Sequence, residues 1–138
     1  MIVFTVDGPA VPKQRPRISG RTAYTPKKTR DYEERVREAF RSSRRGFLPV
    51  YPKDVPVKAC IEIIQAIPKS WGNTKRTLAE NGEIVPISRN GDVDNIAKSI
   101  LDALNGYVYL DDCQVTTLIV HKQYGIEPHV IVQFDEDN

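Results

Sequence analysis

The feature that most constrains the fold is an alternating apolar run in the middle of the chain. Between residues 57 and 67, apolar side chains of one parity recur at Val57, Ala59, Ile61, Ile63 and Ile67. Side chains of one parity on a strand lie on the same face of a sheet, so the run predicts a strand with one buried face. We therefore expect the fold to centre on a β-sheet that buries this face.

Two main helices are predicted to pack on such a sheet. The first covers residues 27–43, with Thr25 as its cap and Pro26 in its first turn. The second covers residues 93–104 and ends at Asn105-Gly106. Both carry apolar residues at helical spacing. The two stripes are Tyr32, Val36, Ala39 and Phe40 in the first helix, and Ala97, Ile100, Leu101 and Leu104 in the second.

Shorter elements complete the predicted order. A short helix is expected over residues 74–81. Strands are expected over residues 2–6, 21–24, 107–109, 114–123 and 128–134. A length of 138 residues suits one domain, taken here as residues 1–138. We therefore predict an α+β fold, a single small domain with a mixed β-sheet and two main helices packed on it.

Composition excludes several classes of protein. The longest apolar runs are too short to cross a bilayer, and the start of the chain lacks the charged segment and cleavage site of a signal peptide. Cys60 and Cys113 are too few for a disulfide framework or a four-ligand zinc site. His121 and His129 form no recognisable nucleophilic triad. We expect a reduced, cytoplasmic protein with no membrane partner.

Charge is divided unevenly along the chain. The formal net charge is +2, yet residues 1–45 carry 12 basic and 5 acidic side chains, whereas residues 46–138 carry 8 and 13. A basic half favours a polyanionic partner, and an acidic half favours a cation. Three groups of basic residues are candidates for contact with DNA phosphates, namely Lys13, Arg15 and Arg17, then Lys27 and Lys28, and then Lys75, Arg76 and Arg89.

Acidic side chains gather around the second main helix. Asp92 precedes the helix and can cap it, while Asp94 and Lys98 lie one turn apart on one flank. A second acidic pair, Asp111-Asp112, follows the helix. Carboxylates from two neighbouring elements form an oxygen site suited to Mg²⁺, and a lysine beside it can stabilise a phosphate oxygen. The same residues also fit a simpler interpretation, a capped surface helix with an Asp–Lys pair.

These segments form a joint pattern with the basic residues that precede them. Residues 92–104 read D-V-D-N-I-A-K-S-I-L-D-A-L, and residues 111–115 read D-D-C-Q-V. Residues 11–17 read V-P-K-Q-R-P-R, and residues 23–30 read A-Y-T-P-K-K-T-R. The whole resembles the RusA family of Holliday junction resolvases, whose signature is D-x-D-N-x-x-K-x-x-x-D-A-L followed by D-D-x-Q-V. The resemblance covers nearly the whole chain and is least specific over residues 44–90.

The resemblance implies a small, homodimeric, metal-dependent endonuclease of a bacterial cell, of a kind often encoded by phages or prophages. Such a crossover junction endodeoxyribonuclease cuts four-way junction DNA by paired nicks during recombination and repair. Its essential carboxylates would be Asp92, Asp94 and Asp112, with Asp111 as a further candidate ligand. Its essential lysine would be Lys98. Mg²⁺ is the implied cofactor, and Mn²⁺ is expected to substitute for it.

Two other functions stay open at this point. One is a nuclease of related fold that acts on another branched or structured nucleic acid. The other is a non-catalytic module that binds DNA junctions, in which the acidic residues only cap a helix and add surface charge. The joint presence of Asp92, Asp94, Lys98 and the pair Asp111-Asp112 weighs against the non-catalytic module.

Overall fold

The structure, a computed structural model, describes residues 1–87 and 91–138 and contains a four-stranded sheet. The strands of this sheet, in the spatial order β1-β6-β4-β5, are β1 (Ile2–Asp7), β4 (Val57–Ala66), β5 (Val115–Gly125) and β6 (His129–Glu136). A separate hairpin consists of β2 (Arg17–Ser19) and β3 (Thr22–Tyr24). The helices are α1 (Lys27–Ser43), α2 (Asn73–Glu80) and α3 (Val93–Ala103).

The sheet is mixed, as predicted. Strand β6 runs antiparallel to both β1 and β4, whereas β4 and β5 are parallel neighbours. Parallel neighbours cannot be joined by a tight turn, and the connection between these two contains α2 and α3. The parallel pairing therefore places α3 in a crossover that returns the chain to the start of the neighbouring strand.

One face of the sheet forms the core. Phe4, Val132, Ile61 and Val120 lie in register across the four strands, and the first three are at most 5% exposed. The alternating run in β4 is buried as predicted, at Val57, Ala59, Ile61 and Ile63. The α+β class is thus confirmed, and the period-2 pattern identified the strand at the centre of the core.

Helices α1 and α3 cover this face. Tyr32, Val36 and Phe40 of the predicted α1 stripe are buried, and the Phe40 ring packs edge-on against Phe4 with centroids 5.9 Å apart. The α3 stripe is buried as predicted, at Ala97, Ile100, Leu101 and Leu104. In the described part of the chain, no helix has the length and apolarity needed to cross a bilayer.

The shorter predicted elements are mostly present. Those at 2–6, 74–81, 114–123 and 128–134 correspond to β1, α2, β5 and β6. The strand predicted at 107–109 is wrong. There the Tyr107 and Val108 N–H groups donate to the Leu104 carbonyl at 3.0 and 3.1 Å, and Tyr109 forms only isolated bridges. The segment is a turn because its donors close the end of α3 instead of pairing with a strand.

The chain before α1 also differs from expectation. Thr25 is not the helix cap. Pro26 occupies the cap position in an extended conformation, and no side chain caps the helix. Strand β2 was not predicted, because the prolines of residues 9–16 hide the short extended segment that begins at Arg17. Its partner β3 lies within the strand predicted over residues 21–24.

Candidate active site

The start of α3 presents two of the predicted carboxylates to solvent. Asp92 is the N-cap residue, and its carbonyl accepts a hydrogen bond from the Ile96 N–H at 3.1 Å. Its carboxylate, however, makes no capping hydrogen bond. Asp94 lies in the first turn and is likewise exposed. Capping therefore does not account for the Asp92 side chain, which remains available to a ligand.

The approach to α3 depends on a glycine and on the N-terminal segment. Gly91 has a φ of +105°, and a Cβ there would lie 2.9 Å from Cδ1 of Ile96 and 3.7 Å from Cδ of Pro12. Next to that contact, the Lys13 N–H donates to the Asn95 carbonyl at 2.9 Å. The backbone hydrogen bond thus fastens the proline-rich segment to the first turn of α3, while the positive φ and the close approach of Ile96 require glycine at position 91.

The second acidic pair lies on a 3₁₀ turn, Asp112–Gln114, that leads into β5. The Asp111 carboxylate accepts a hydrogen bond from the Cys113 N–H at 3.3 Å, and hydrogen bonds from Cys113 lower the pKa of Asp111. The Gln114 Oε1 accepts from the Leu110 and Asp111 N–H groups at 2.9 and 3.3 Å. This reciprocal capping engages Asp111 in the turn and leaves Asp112 to face α3.

Asp112 meets Asp102, an α3 residue that was not among the predicted ligands. Burial, a hydrogen bond with Asp102, and the charges of Asp102 and Asp111 raise the pKa of Asp112. Burial also disfavours a charged Asp102, but hydrogen bonds with Asp112 and Lys98, together with the charges of Lys98 and Lys13, lower its pKa. The contact between the two carboxyls therefore moves their pKa values in opposite directions, up for Asp112 and down for Asp102.

Lys98 pairs with a different aspartate from the one expected. The prediction set it beside Asp94, but its Nζ lies 3.2 Å from Oδ1 of Asp102, one turn further along α3. Asp102 and Asp112 lie together in a half-buried position, so they attract an ammonium more strongly than the solvated Asp94 carboxylate does. The Lys98 side chain is 60% exposed, which leaves its ammonium open to a further partner.

Lys13 is held by carboxylates in the folded protein. Its Nζ lies 2.6 Å from Oε1 of Glu33 on α1 and 3.5 Å from Oδ2 of Asp102 on α3. Burial disfavours the charged ammonium, yet the hydrogen bonds and charges of these two carboxylates outweigh it and raise the pKa of Lys13. Lys13 thus joins α1, α3 and the N-terminal segment, a role that its place among prolines did not predict.

The other predicted phosphate contacts divide into two groups. Arg15, Arg17, Lys27 and Lys28 are exposed and form no ion pair within the described residues. The second group lies around α2. Lys75 covers the ring of Trp71, with its Nζ 4.0 Å from the centroid, and Arg76 donates to the Pro68 carbonyl at 3.3 Å. Arg89 lies outside the described residues.

The predicted metal ligands are not all brought together. Across residues 1–87 and 91–138, no group of three or more His, Cys, Asp or Glu side chains is arranged to hold a metal ion. The structure joins Asp112 to Asp102 and leaves Asp92 and Asp94 exposed. The donor set nevertheless fits Mg²⁺ in its chemistry, because it consists of carboxylates, the ligands that this hard cation prefers.

Asp102 is the site residue that sequence reasoning missed. Its signal was present, since it lies four residues after Lys98 on the same helix and belongs to the D-A-L end of the motif. What the sequence could not give is the contact with Asp112, which depends on how the 3₁₀ turn folds back on α3. Asp102 contacts Lys13, Lys98 and Asp112 and so links these three groups.

Replacing Lys13 tests its structural role. Lys13→Met keeps an apolar stem but leaves Glu33 and Asp102 without their shared cation, so we expect a loss of about 1–2 kcal/mol in the free energy of unfolding. Chemical denaturation followed by circular dichroism measures it. Lys28→Met, at an exposed lysine that forms no ion pair with any described residue, is the control and should change stability by less than about 0.5 kcal/mol. Equal stability of the two variants would contradict the role.

Comparison with known proteins agrees with the motif. Residues 7–135 match the family described as endodeoxyribonuclease RusA. The chain is also 36% identical over 141 residues to YqaN, a Bacillus subtilis (strain 168) protein described as uncharacterized, with 98% of this chain and 96% of YqaN covered. The family match spans nearly the whole chain and includes both α3 and the 3₁₀ turn. The resemblance is thereby confirmed, and the chain belongs to the RusA endodeoxyribonuclease family.

Proposed function

We propose that the protein is a Mg²⁺-dependent endonuclease that resolves four-way DNA junctions by paired nicks in recombination and repair. The observation that carries this proposal is the meeting of Asp102, Asp112 and Lys98 along the same helix whose start presents the exposed Asp92 and Asp94 carboxylates. In a member of an endodeoxyribonuclease family, this acidic surface with a solvent-facing ammonium is the best candidate for phosphodiester hydrolysis.

Asp92, Asp94 and Asp112 would hold the metal, with Asp111 less available because it caps the 3₁₀ turn. When bound, Mg²⁺ supplies charge stabilisation at the phosphate and lowers the pKa of an attacking water, and Mn²⁺ would do the same. These carboxylates would determine where the ion binds and therefore where it could contact a phosphate. Burial and the negative charges of Asp102 and Asp111 raise the pKa of Asp112, and a divalent cation would offset those charges.

Lys98 would stabilise the negative charge that develops on the phosphate. Its side chain is 60% exposed, and its ion pair with Asp102 limits where the ammonium can lie. Asp102 therefore serves as a positioning residue for Lys98. The same carboxylate binds Lys13, so the position of the ammonium is linked to the packing of the N-terminal segment.

The basic residues would bind the DNA backbone. Arg15, Arg17, Lys27 and Lys28 are exposed and have no ion pair within the described residues, so they can reach phosphates at no cost in internal pairing. Further contacts are assigned to Lys75, Arg76 and Arg89. Because phosphate contacts release counterions, binding should weaken steeply as salt concentration rises. Such an enzyme would act on bacterial or prophage DNA in the cytoplasm.

A two-fold dimer follows from the proposed substrate. A four-way junction has two symmetric scissile strands, so paired nicking requires two active sites related by a two-fold axis. We expect a homodimer with both acidic surfaces facing the same DNA. Sedimentation at micromolar concentration without DNA measures it. A monomer that also binds one per junction would exclude paired nicking and leave a single-strand nickase.

Removing a carboxylate at the start of α3 should abolish cleavage. Asp92→Asn or Asp94→Asn takes away a metal ligand and also some repulsion of the phosphates, so junction binding should be unchanged or tighter. Nicking of a fixed four-way junction with Mg²⁺ measures the first effect, and fluorescence anisotropy measures the second.

The control for these variants is Asp31→Asn, at an exposed aspartate of α1. It should cleave like the wild type. If Asp92→Asn and Asp94→Asn both cleave within tenfold of the wild type, the proposed site is wrong. If the wild type cleaves a linear duplex as well as the junction, the protein is a nuclease of related fold with another target.

Lys98→Ala should slow cleavage by about 10²-fold or more, the scale of a deleted transition-state donor. Its melting temperature should barely change, because the Lys98 ammonium is exposed and Asp102 keeps Lys13 as a partner. Single-turnover cleavage and thermal denaturation are the two measurements. Lys53→Ala, at another exposed lysine, is the control. Normal turnover by folded Lys98→Ala would restrict Lys98 to a surface ion pair.

A further inference from the structure

The β2–β3 hairpin stands apart from the core. Its strands pair antiparallel through Arg17 with Tyr24, Ile18 with Ala23, and Ser19 with Thr22, and all six residues are exposed. A two-stranded hairpin of this length is marginally stable in water on its own. No side chain of the hairpin strands is buried in the core, so packing against the core does not stabilise the hairpin. A partner outside the chain would supply that stabilisation.

The charge around the hairpin indicates what that partner is. Residues 14–30 contain six arginines and lysines and no aspartate or glutamate. All six are exposed, and none forms an ion pair within the described residues. The six are Arg15, Arg17, Arg21, Lys27, Lys28 and Arg30. Such an uncompensated positive surface is complementary to the phosphates of a nucleic acid.

The hairpin is tied closely to the candidate active site. Two contacts anchor Lys13 to α3. Its backbone N–H donates to the Asn95 carbonyl, and its Nζ lies 3.5 Å from Oδ2 of Asp102. Ile18 is the fifth residue after Lys13, so their Cα atoms lie within about 18 Å. Phosphates of one DNA strand recur about every 3.4 Å along the helix axis. Ile18 can therefore reach DNA within about five nucleotides of a phosphate at the acidic site.

The hairpin also carries a large, exposed apolar side chain among its basic residues. Ile18 is 77% exposed and pairs across the hairpin with the small, exposed Ala23. The pair faces away from Arg17 and Tyr24, since neighbours on a strand point to opposite faces. Ile18 is distinguished from other exposed apolar residues by its place among six cations, on a surface complementary to phosphates. Isoleucine is one of the side chains that insert between base pairs.

We propose that the β2–β3 hairpin is a DNA arm that lies in a groove beside the cleavage site and inserts Ile18 as an apolar wedge between base pairs. This inference rests on the proposed function, because it needs DNA at the acidic site. Insertion requires that bases unstack, and unstacking costs less where stacking is already interrupted. The wedge therefore favours the branch point of a junction over a continuous duplex.

Fluorescence of 2-aminopurine, which increases when the base unstacks, tests the wedge. The probe is placed at successive positions from the branch point of a fixed four-way junction, and the full chain is added without divalent metal. We expect wild-type protein to raise the signal at least twofold at one or more positions. Ile18→Ser should lose this rise while its junction affinity falls by less than tenfold, because the phosphate contacts remain.

Ile126→Ser is the matched control, since Ile126 is a 78% exposed isoleucine in the turn between β5 and β6. It should keep the wild-type signal. Ile18→Phe retains a large apolar side chain and should keep the signal as well, which separates loss of the wedge from damage to the hairpin. A full signal with Ile18→Ser, or no rise with the wild type at any position, would overturn the proposal.

Two parallel measurements separate this inference from the proposed function. Cleavage by the wild type with Mg²⁺ but no unstacking signal would support the nuclease and overturn the wedge. An Ile18-dependent signal without cleavage would support the arm and overturn the nuclease. Sedimentation of Ile18→Ser gives the remaining outcome. If this substitution converts a dimer to a monomer, the apolar face of the hairpin is a contact between subunits, and the wedge is excluded.

Discussion

The parallel pairing of β4 with β5 is the constraint on which the rest of the structure depends. It forces the chain to leave the end of one strand and return to the start of its neighbour, and α3 lies in that return. Because β5 begins directly after the 3₁₀ turn, the pairing also sets the place of Asp112. The contact between Asp102 and Asp112 is thus a product of sheet topology, although both residues lie outside the sheet.

The charges at the site come from both the basic first part and the acidic second part of the chain. The acidic groups belong to the second half of the chain, whereas Lys13 comes from the basic first half. Lys13 and Lys98 contact different oxygens of Asp102 and help to lower its pKa, whereas burial and the neighbouring carboxylates raise the pKa of Asp112. The N-terminal segment therefore contributes to the charge state of the acidic surface, in addition to any contact that it makes with DNA.

Periodicity predicted the elements whose side chains enter the core. The parity of Val57, Ala59 and Ile61 identified β4, and helical spacing identified α1 and α3 within a residue or two. It failed where tertiary contacts decide. The turn at 107–109 results from hydrogen bonds to the end of α3. Strand β2 escaped prediction because it directly follows a proline-rich segment. The pattern of the motif pointed to the acidic residues, but their partners depend on contacts between distant elements, as Lys98 with Asp102 and Lys13 with Glu33 illustrate.

Gln114 shows how one side chain can impose a requirement for a specific functional group. Its oxygen accepts from two backbone N–H groups, and its Nε2 donates to the Pro52 and Val55 carbonyls at 3.0 and 3.1 Å. The amide oxygen thus accepts hydrogen bonds from the acidic turn, and the amide nitrogen donates hydrogen bonds to the loop before β4. Glutamate has the same shape but would set a carboxylate against two carbonyl oxygens. The glutamine of the D-D-x-Q-V motif therefore fastens the acidic turn to the strand beside which β5 must start, and an isosteric acid could not replace it.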